Sequence, residues 1–254
     1  MEQVRIGIIG TSWWADTMYL PSLAGNEKAV VVACCGRNEE RARKLAGIWK
    51  IPHVYTDWQT MLNEEPLDAL IISSTNATHC PITLAALEKG LHVLCEKPLA
   101  LNYTEAQLML ESAQIHQAIT MVPFTYSFVP MTQTIKRLLS EGYLGKPHHL
   151  NFRYYANYGR PPEYHWRFNQ KLAGSGSLGD IGSHFLYLAM WFFGEVTHVF
   201  AELNTVIERP KLDPEGQSYV QADDFSIVIL TFANGAKGVV QASTVAHEPT
   251  PWGQ

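Results

Sequence analysis

The chain of 254 residues has few cysteines, no excess of basic residues and no long apolar run. Its longest apolar stretches, such as 29–35 and 69–72, are strand-sized, whereas a helix crossing a bilayer needs about 20 apolar residues. No membrane partner is expected. The opening Met1-Glu2-Gln3-Val4-Arg5 runs straight into a strand-like segment and lacks the basic and apolar regions of a secretory leader. The four cysteines, Cys34, Cys35, Cys80 and Cys95, show neither C-x-x-C nor zinc-ligand spacing. They read as buried thiols of a reducing compartment, so a cytoplasmic location is expected. A net charge of -5 removes any electrostatic reason to invoke nucleic acid. Internal repeats and low-complexity segments are also lacking.

What is present is a globular composition and enough length for one large or two ordinary domains. Residues 4–10 alternate and then run apolar, as a buried parallel strand does. They empty into Gly10-Thr11-Ser12-Trp13-Trp14-Ala15 and a helical stretch to about residue 23. A dinucleotide fingerprint G-x-G-x-x-G/A belongs at such a place. Gly10 and Ala15 fill its first and third positions, and Ser12 replaces the second glycine. The helix start supplies an anion site. A second strand over 29–35 ends in Gly36-Arg37-Asn38, where an NAD-selective site usually carries an acid. With no acid there and Arg37 available for a 2′-phosphate, NADP(H) is favoured and NAD(H) remains possible.

The alternation continues. A short strand at 54–55 precedes a helix over 58–63 capped by Asp57. A buried strand over 68–73 precedes the polar run Ser73-Ser74-Thr75-Asn76 and a helix over 81–89. A strand over 92–95 ends in Glu96-Lys97-Pro98. Thr104 is the expected cap of a helix over 105–116, and 119–122 is a last strand. Strands alternating with helices on this scale predict a doubly wound parallel sheet over 1–122. Ligands bind beyond the carboxyl ends of such strands. Pro98 fixes its own φ and biases Lys97 towards an extended backbone, so the ammonium is held in place. The plainer alternative is a surface turn carrying a Glu-Lys pair.

Beyond Pro123 the rhythm changes, and 123–254 reads as an α+β domain with a largely antiparallel sheet. A helix over 131–141 is followed by an alternating strand over 148–155 and an aromatic loop over 158–168 containing His165-Trp166-Arg167. A helix over 180–193 ends at Gly194. Strands over 196–207, 224–232 and 236–243 follow, the last two joined by the Asn234-Gly235 hairpin signal. Asp180 and His184, four apart, share a helix face and suit acid–base work. Two plainer readings are a helix cap at Asp180 with a packed His184, and a metal pair; no third ligand supports the latter, so no metal is expected.

Together these pieces resemble the glucose–fructose oxidoreductase/inositol dehydrogenase (Gfo/Idh/MocA) family over nearly the whole chain. The resemblance rests on the initial fingerprint, on the stretch from Ala86 through Glu96-Lys97-Pro98 to Ala100, and on Trp166-Arg167 followed by 174–184. It implies a nucleotide domain and a substrate domain whose open sheet often forms an oligomer interface, hence a homo-oligomer, dimer or tetramer. It further implies that Lys97, Asp180 and His184 are catalytic. The phosphate turn with Gly10, Thr11, Ser12, Trp13 and Ala15, the selector Arg37, and Ser74, Asn76, His79, Glu96 and Lys97 would meet the cofactor. Tyr126, Trp166 and Arg167 are the candidate substrate contacts.

The expected activity is hydride transfer between NAD(P) and a secondary alcohol or carbonyl of a sugar, cyclitol or related polyol. An NAD-dependent glycosidase of the same family and a non-catalytic cofactor-binding regulator are the alternatives. Tyr187, Thr125 and Ser127 depart from residues common in the family, which bears on substrate contacts. Family members usually continue past the position of Gln254. The chain is therefore expected to be a fragment, naturally shortened, or completed by a partner.

Overall fold

Six apolar segments of the first half pair into one parallel sheet in the order β3-β2-β1-β4-β5-β6. A computed structural model describes residues 3–247, and the chain divides into two units, Met1–Pro123 and Phe124–Gln254. The expectation of an early ending after the last strand falls on residues outside those described.

In the first unit the strands are β1 (Val4–Ile9), β2 (Ala29–Cys35), β3 (His53–Tyr55), β4 (Ala69–Ile72), β5 (His92–Cys95) and β6 (Thr120–Met121). Both faces of the sheet are covered, which is why its strands read as apolar runs rather than alternations. Ile8, Cys34 and Ile71 face one core, while Ile9, Ala33, Leu70 and Ile72 face the other. Full burial of Ile8, Leu70 and Ile72 is worth about 1.5–3 kcal/mol each.

The helices are α1 (Leu20–Leu23), α2 (Glu39–Trp49), α3 (Trp58–Glu64), α4 (His79–Glu88) and α5 (Tyr103–Ile115). Asn38 caps α2 by accepting from the Arg41 amide, and Asp57 caps α3 by accepting from that of Thr60. The expected cap of α5 is corrected. Asn102, not Thr104, stands outside the first turn with an extended backbone, and its side chain accepts from the Glu105 amide. All four cysteines are buried free thiols.

The second unit carries α6 (Pro130–Ser140), β7 (His149–Tyr155), α7 (Gln170–Ala173), α8 (Ser183–Phe193), β8 (Val196–Asn204), β9 (Phe225–Phe232) and β10 (Lys237–Ser243). Its sheet runs β7-β10-β9-β8, with β7 parallel to β10 and the other pairs antiparallel. Val228, Leu230, Phe232 and Val240 form its core with Ala189, Phe185 and Phe193 of α8.

In the second unit two boundaries differ from expectation by more than one residue. β8 stops at Asn204 because the Val206 and Ile207 amides turn away to the buried Asp224 carboxylate, at 2.7 and 2.8 Å. The helix expected to begin at Asp180 begins earlier, as a π turn over Leu178–Gly182 that runs directly into α8. Asp180 is therefore inside the helical run and does not cap it. The cap is Asp223, whose carboxylate accepts from the Gly176 amide, the Ser177 hydroxyl and the Leu178 amide at 2.7, 2.7 and 2.8 Å. Among the described residues no helix is long and apolar enough to cross a membrane.

Candidate active site

In the first unit, the ladder continues past the strand ends and gathers three loops at one edge of the sheet. The Gly10 amide donates to the Cys35 carbonyl, that of Ser73 to Ile9, and that of Glu96 to Ile72. This edge includes the switch point between β1 and β4, where the strand order reverses. Gly10 has φ +108°, and a Cβ there would lie 2.4 Å from the Ser73 carbonyl oxygen. Only glycine leaves that backbone bare. After it comes a helical run over 13–23, so backbone amides and the positive end of a helix face the space beyond the turn. Thr11 and Ala15 are buried, Ser12 is half-buried and Trp13 stands 65 % exposed. Arg37 is exposed beyond β2.

After β4, Ser74 Oγ and Thr78 Oγ1 pair at 2.6 Å, and Asn76 is buried in a short 3-10 turn. His79 opens α4. Sequence reasoning placed it among the cofactor contacts, but its ring is fully buried, and its partners are the carbonyl oxygens of Pro98 and Ser74, at 3.0 and 3.3 Å. Burial outweighs these carbonyls and the nearby Glu96, and lowers the pKa of the ring.

After β5, Lys97 is half-buried and the Lys97–Pro98 peptide is cis. Glu96 is not a surface partner for it. Its carboxylate is buried and accepts from Trp14 Nε1 at 2.6 Å, from the Tyr19 hydroxyl, and from the Lys97 amide at 2.9 Å.

In the second unit, the π turn carries Asp180 and α8 carries His184. Asp180 accepts from the Tyr158 hydroxyl at 2.5 Å and lies 3.3 Å from Arg167 Nε. Arg167 in turn covers the Trp166 ring, 4.6 Å from its centroid. Burial first, then the Asp180 carboxylate, holds the Tyr158 phenol well above its ordinary range, so it remains a donor. Tyr158, Arg167 and Asp180 line a cavity of about 440 Å³ together with Tyr164, His165 and Phe168. His184 is half-buried and meets Tyr126 edge-on at 4.9 Å and Phe124 at 6.0 Å. Tyr187 stacks on Phe124 at 4.3 Å. Among the described residues no group of three or more potential ligands could hold a metal ion.

Sequence reasoning missed Trp14 and Tyr19 as partners of Glu96, Tyr158 as partner of Asp180, and Asp223 as the cap. The aromatic loop was visible as a cluster, but which ring met which carboxylate was not.

A six-stranded parallel sheet with this order and a glycine turn after β1 defines a dinucleotide-binding fold. Residues 4–124 match the oxidoreductase family with an NAD-binding Rossmann fold, and residues 132–253 match the GFO/IDH/MocA C-terminal domain. The chain belongs to the Gfo/Idh/MocA family of oxidoreductases.

It is 31% identical to the levoglucosan dehydrogenase of Pseudarthrobacter phenanthrenivorans over 97% of this chain and 69% of that protein. Identity to the scyllo-inositol 2-dehydrogenase (NADP(+)) of Bacillus subtilis is 30%, over 89% and 69% of the two chains. A solved levoglucosan dehydrogenase in complex with NADH and levoglucosan superposes with a TM-score of 0.89 at 29% identity, covering 98% of this chain and 69% of that one. The chain thus spans roughly two thirds of the length of these relatives, 69% in each case.

Proposed function

We propose that the protein transfers a hydride between a nicotinamide cofactor, NADP(H) in preference to NAD(H), and a secondary alcohol or carbonyl of a sugar, cyclitol or related polyol. The reading is carried by one observation. A chain of this family keeps Lys97 at the carboxyl end of β5 and Asp180 and His184 on one continuous helical run. Relatives named for NADP and solved with NADH both occur, so the preference for NADP(H) rests on Arg37.

Residues 1–122 form the cofactor domain in this reading and 123–254 the substrate domain. The Gly10 turn after β1 stands where a dinucleotide site takes its pyrophosphate, and a Cβ there would press on the Ser73 carbonyl and displace the turn. Ser12, Thr11, Trp13 and Ala15 complete that turn. Arg37 would meet the 2′-phosphate, and Ser74, Asn76 and Lys97 the nicotinamide half. When bound, the nicotinamide supplies or accepts the hydride at its C4. His184 takes the hydroxyl proton on a ring nitrogen during oxidation and returns it during reduction. Asp180 orients that ring and supports its charged form. Lys97 stabilises the developing oxyanion, and Lys97 and His184 can exchange the proton-transfer role.

Tyr126, Trp166 and Arg167 are the proposed substrate contacts. Assembly as a dimer or tetramer is proposed through the sheet, where β8 exposes Val199, Phe200 and Leu203. The four buried free thiols support a reducing, cytoplasmic setting.

Fluorescence titration with NADPH and NADH, followed by a turnover screen over sugars and cyclitols, tests the reading. Tighter NADPH binding is expected, together with a large loss of turnover in Lys97→Met and His184→Ala at nearly unchanged cofactor affinity. Near-normal turnover in both variants overturns the catalytic assignment, and tight binding of NADH alone overturns the role of Arg37.

A further inference from the structure

Trp14 and Tyr19 are five residues apart. On an α-helix with 3.6 residues per turn they would project about 140° apart and could not share a partner. The chain does not form an α-helix there. Residues Ala15–Tyr19 make a π turn, closed by the Leu20 amide donating to the Ala15 carbonyl. The wider turn brings both side chains onto one atom, because Trp14 Nε1 donates to Glu96 Oε1 at 2.6 Å and the Tyr19 hydroxyl donates to the same oxygen. The other oxygen, Oε2, accepts from the Lys97 amide at 2.9 Å. The outer side of the turn is anchored separately, by Trp49 Nε1 donating to Asp16 Oδ1 at 2.6 Å. π turns are rare and occur often at functional sites.

The electrostatics fit a permanent connection. A buried carboxylate without donors is costly, and three donors offset that cost here. Burial first, then Glu96, raises the Tyr19 pKa far above neutrality, so the phenol keeps its proton.

We infer that Glu96, gripped by Trp14 and Tyr19, is a latch that sets the backbone of Lys97 from the helix following the Gly10 turn. Trp14 and Tyr19 are positioning residues for that lysine. The cofactor-phosphate turn and the lysine turn then move as one piece, so seating of a pyrophosphate at the first is felt at the second. The catalytic part of this inference rests on the proposed role of Lys97; the mechanical part does not.

Trp14→Phe, Tyr19→Phe and Glu96→Gln test it on the full chain, first by amide hydrogen exchange without ligand. Exchange over 96–101 should quicken by about tenfold in each variant, the weight of one charge-assisted hydrogen bond. Exchange within β5 and over 53–64 should stay at wild-type rates. Unchanged exchange over 96–101, or a general quickening across the first unit, overturns the latch.

Tyr19→Phe deletes one oxygen atom and keeps the ring, which guards against misfolding of the larger changes. With a sugar or cyclitol that the wild type turns over, kcat should fall about tenfold while the cofactor KM changes less than about threefold, because only one hydrogen bond near the lysine is lost. A proportionate rise in cofactor KM with unchanged kcat overturns the positioning role. If the wild type turns over no such compound, the proposed function fails, and hydrogen exchange still decides the latch.

Discussion

His79 Nδ1 lies 3.0 Å from the Pro98 carbonyl oxygen, and its Nε2 lies 3.3 Å from that of Ser74. The fully buried ring therefore ties the loop after β4 to the turn that carries Lys97. A neutral imidazole has one N–H and can donate to only one of the two carbonyls; the shorter contact favours the proton on Nδ1.

His79→Leu should cost about 2 kcal/mol of unfolding free energy in urea, the typical weight of a buried carbonyl left unsatisfied. The pH dependence follows from the lowered pKa. The unfolded ring takes up a proton as pH falls through about 6.5, while the folded ring resists it. The stability contributed by the neutral ring is thus full above about 6.5 and declines below it, so the gap between wild type and His79→Leu should narrow from pH 7.5 towards 5.5. A gap that widens on acidification would show that the two carbonyls, with Glu96 nearby, favour the doubly protonated ring instead.

Asp180 carries a different kind of constraint. Arg167 and the Tyr158 hydroxyl both address its carboxylate, so they fix its direction. Arg167→Ala removes a cation that also stacks on Trp166. Tyr158→Phe removes only the donor. In the proposed enzyme, kcat/KM should fall about tenfold for Tyr158→Phe and more for Arg167→Ala, consistent with the loss of one and of several polar contacts. Rescue of Arg167 by lysine should be incomplete, since an ammonium cannot reproduce the contact of a guanidinium with the Trp166 ring. Steady-state rates on a single substrate check all three, and a Tyr158→Phe variant of wild-type efficiency would separate Tyr158 from the site.

How much of this was legible in sequence depended on how far apart the interacting groups lie. The parallel sheet was readable because strands buried on both faces appear as short apolar runs, as at 29–35 and 92–95. Asp57 lies directly before the helix it caps, so chemistry and position coincide. Thr104 misled because it is a good cap residue near a helix start, while Asn102 makes the actual bond. The Glu96 latch was hidden for another reason. Trp14 and Tyr19 converge only through a π turn, which has no periodicity of its own to betray it. The lysine turn itself was conspicuous, but the contact that holds it crosses 82 residues.

Asp223 gives the most demanding test of the second unit. It is 6 % exposed and satisfies three donors at the entry to the π turn. Its approach is possible only because residue 176 is glycine, since a Cβ there would lie 1.9 Å from the Asp223 carbonyl oxygen. Asp223→Ala should therefore cost about 3 kcal/mol or more, because it strands two amides in a buried place and leaves the Ser177 hydroxyl only the longer contact, 3.4 Å, to the Ala242 carbonyl. Gly176→Ala should cost a similar amount by a different route, steric displacement of the Asp223 backbone rather than loss of an acceptor. The two changes remove one connection, so the double variant should be less destabilised than the sum of the singles. Urea unfolding of all four proteins measures that coupling, and strict additivity would mean that Gly176 and Asp223 stabilise the helix entry independently.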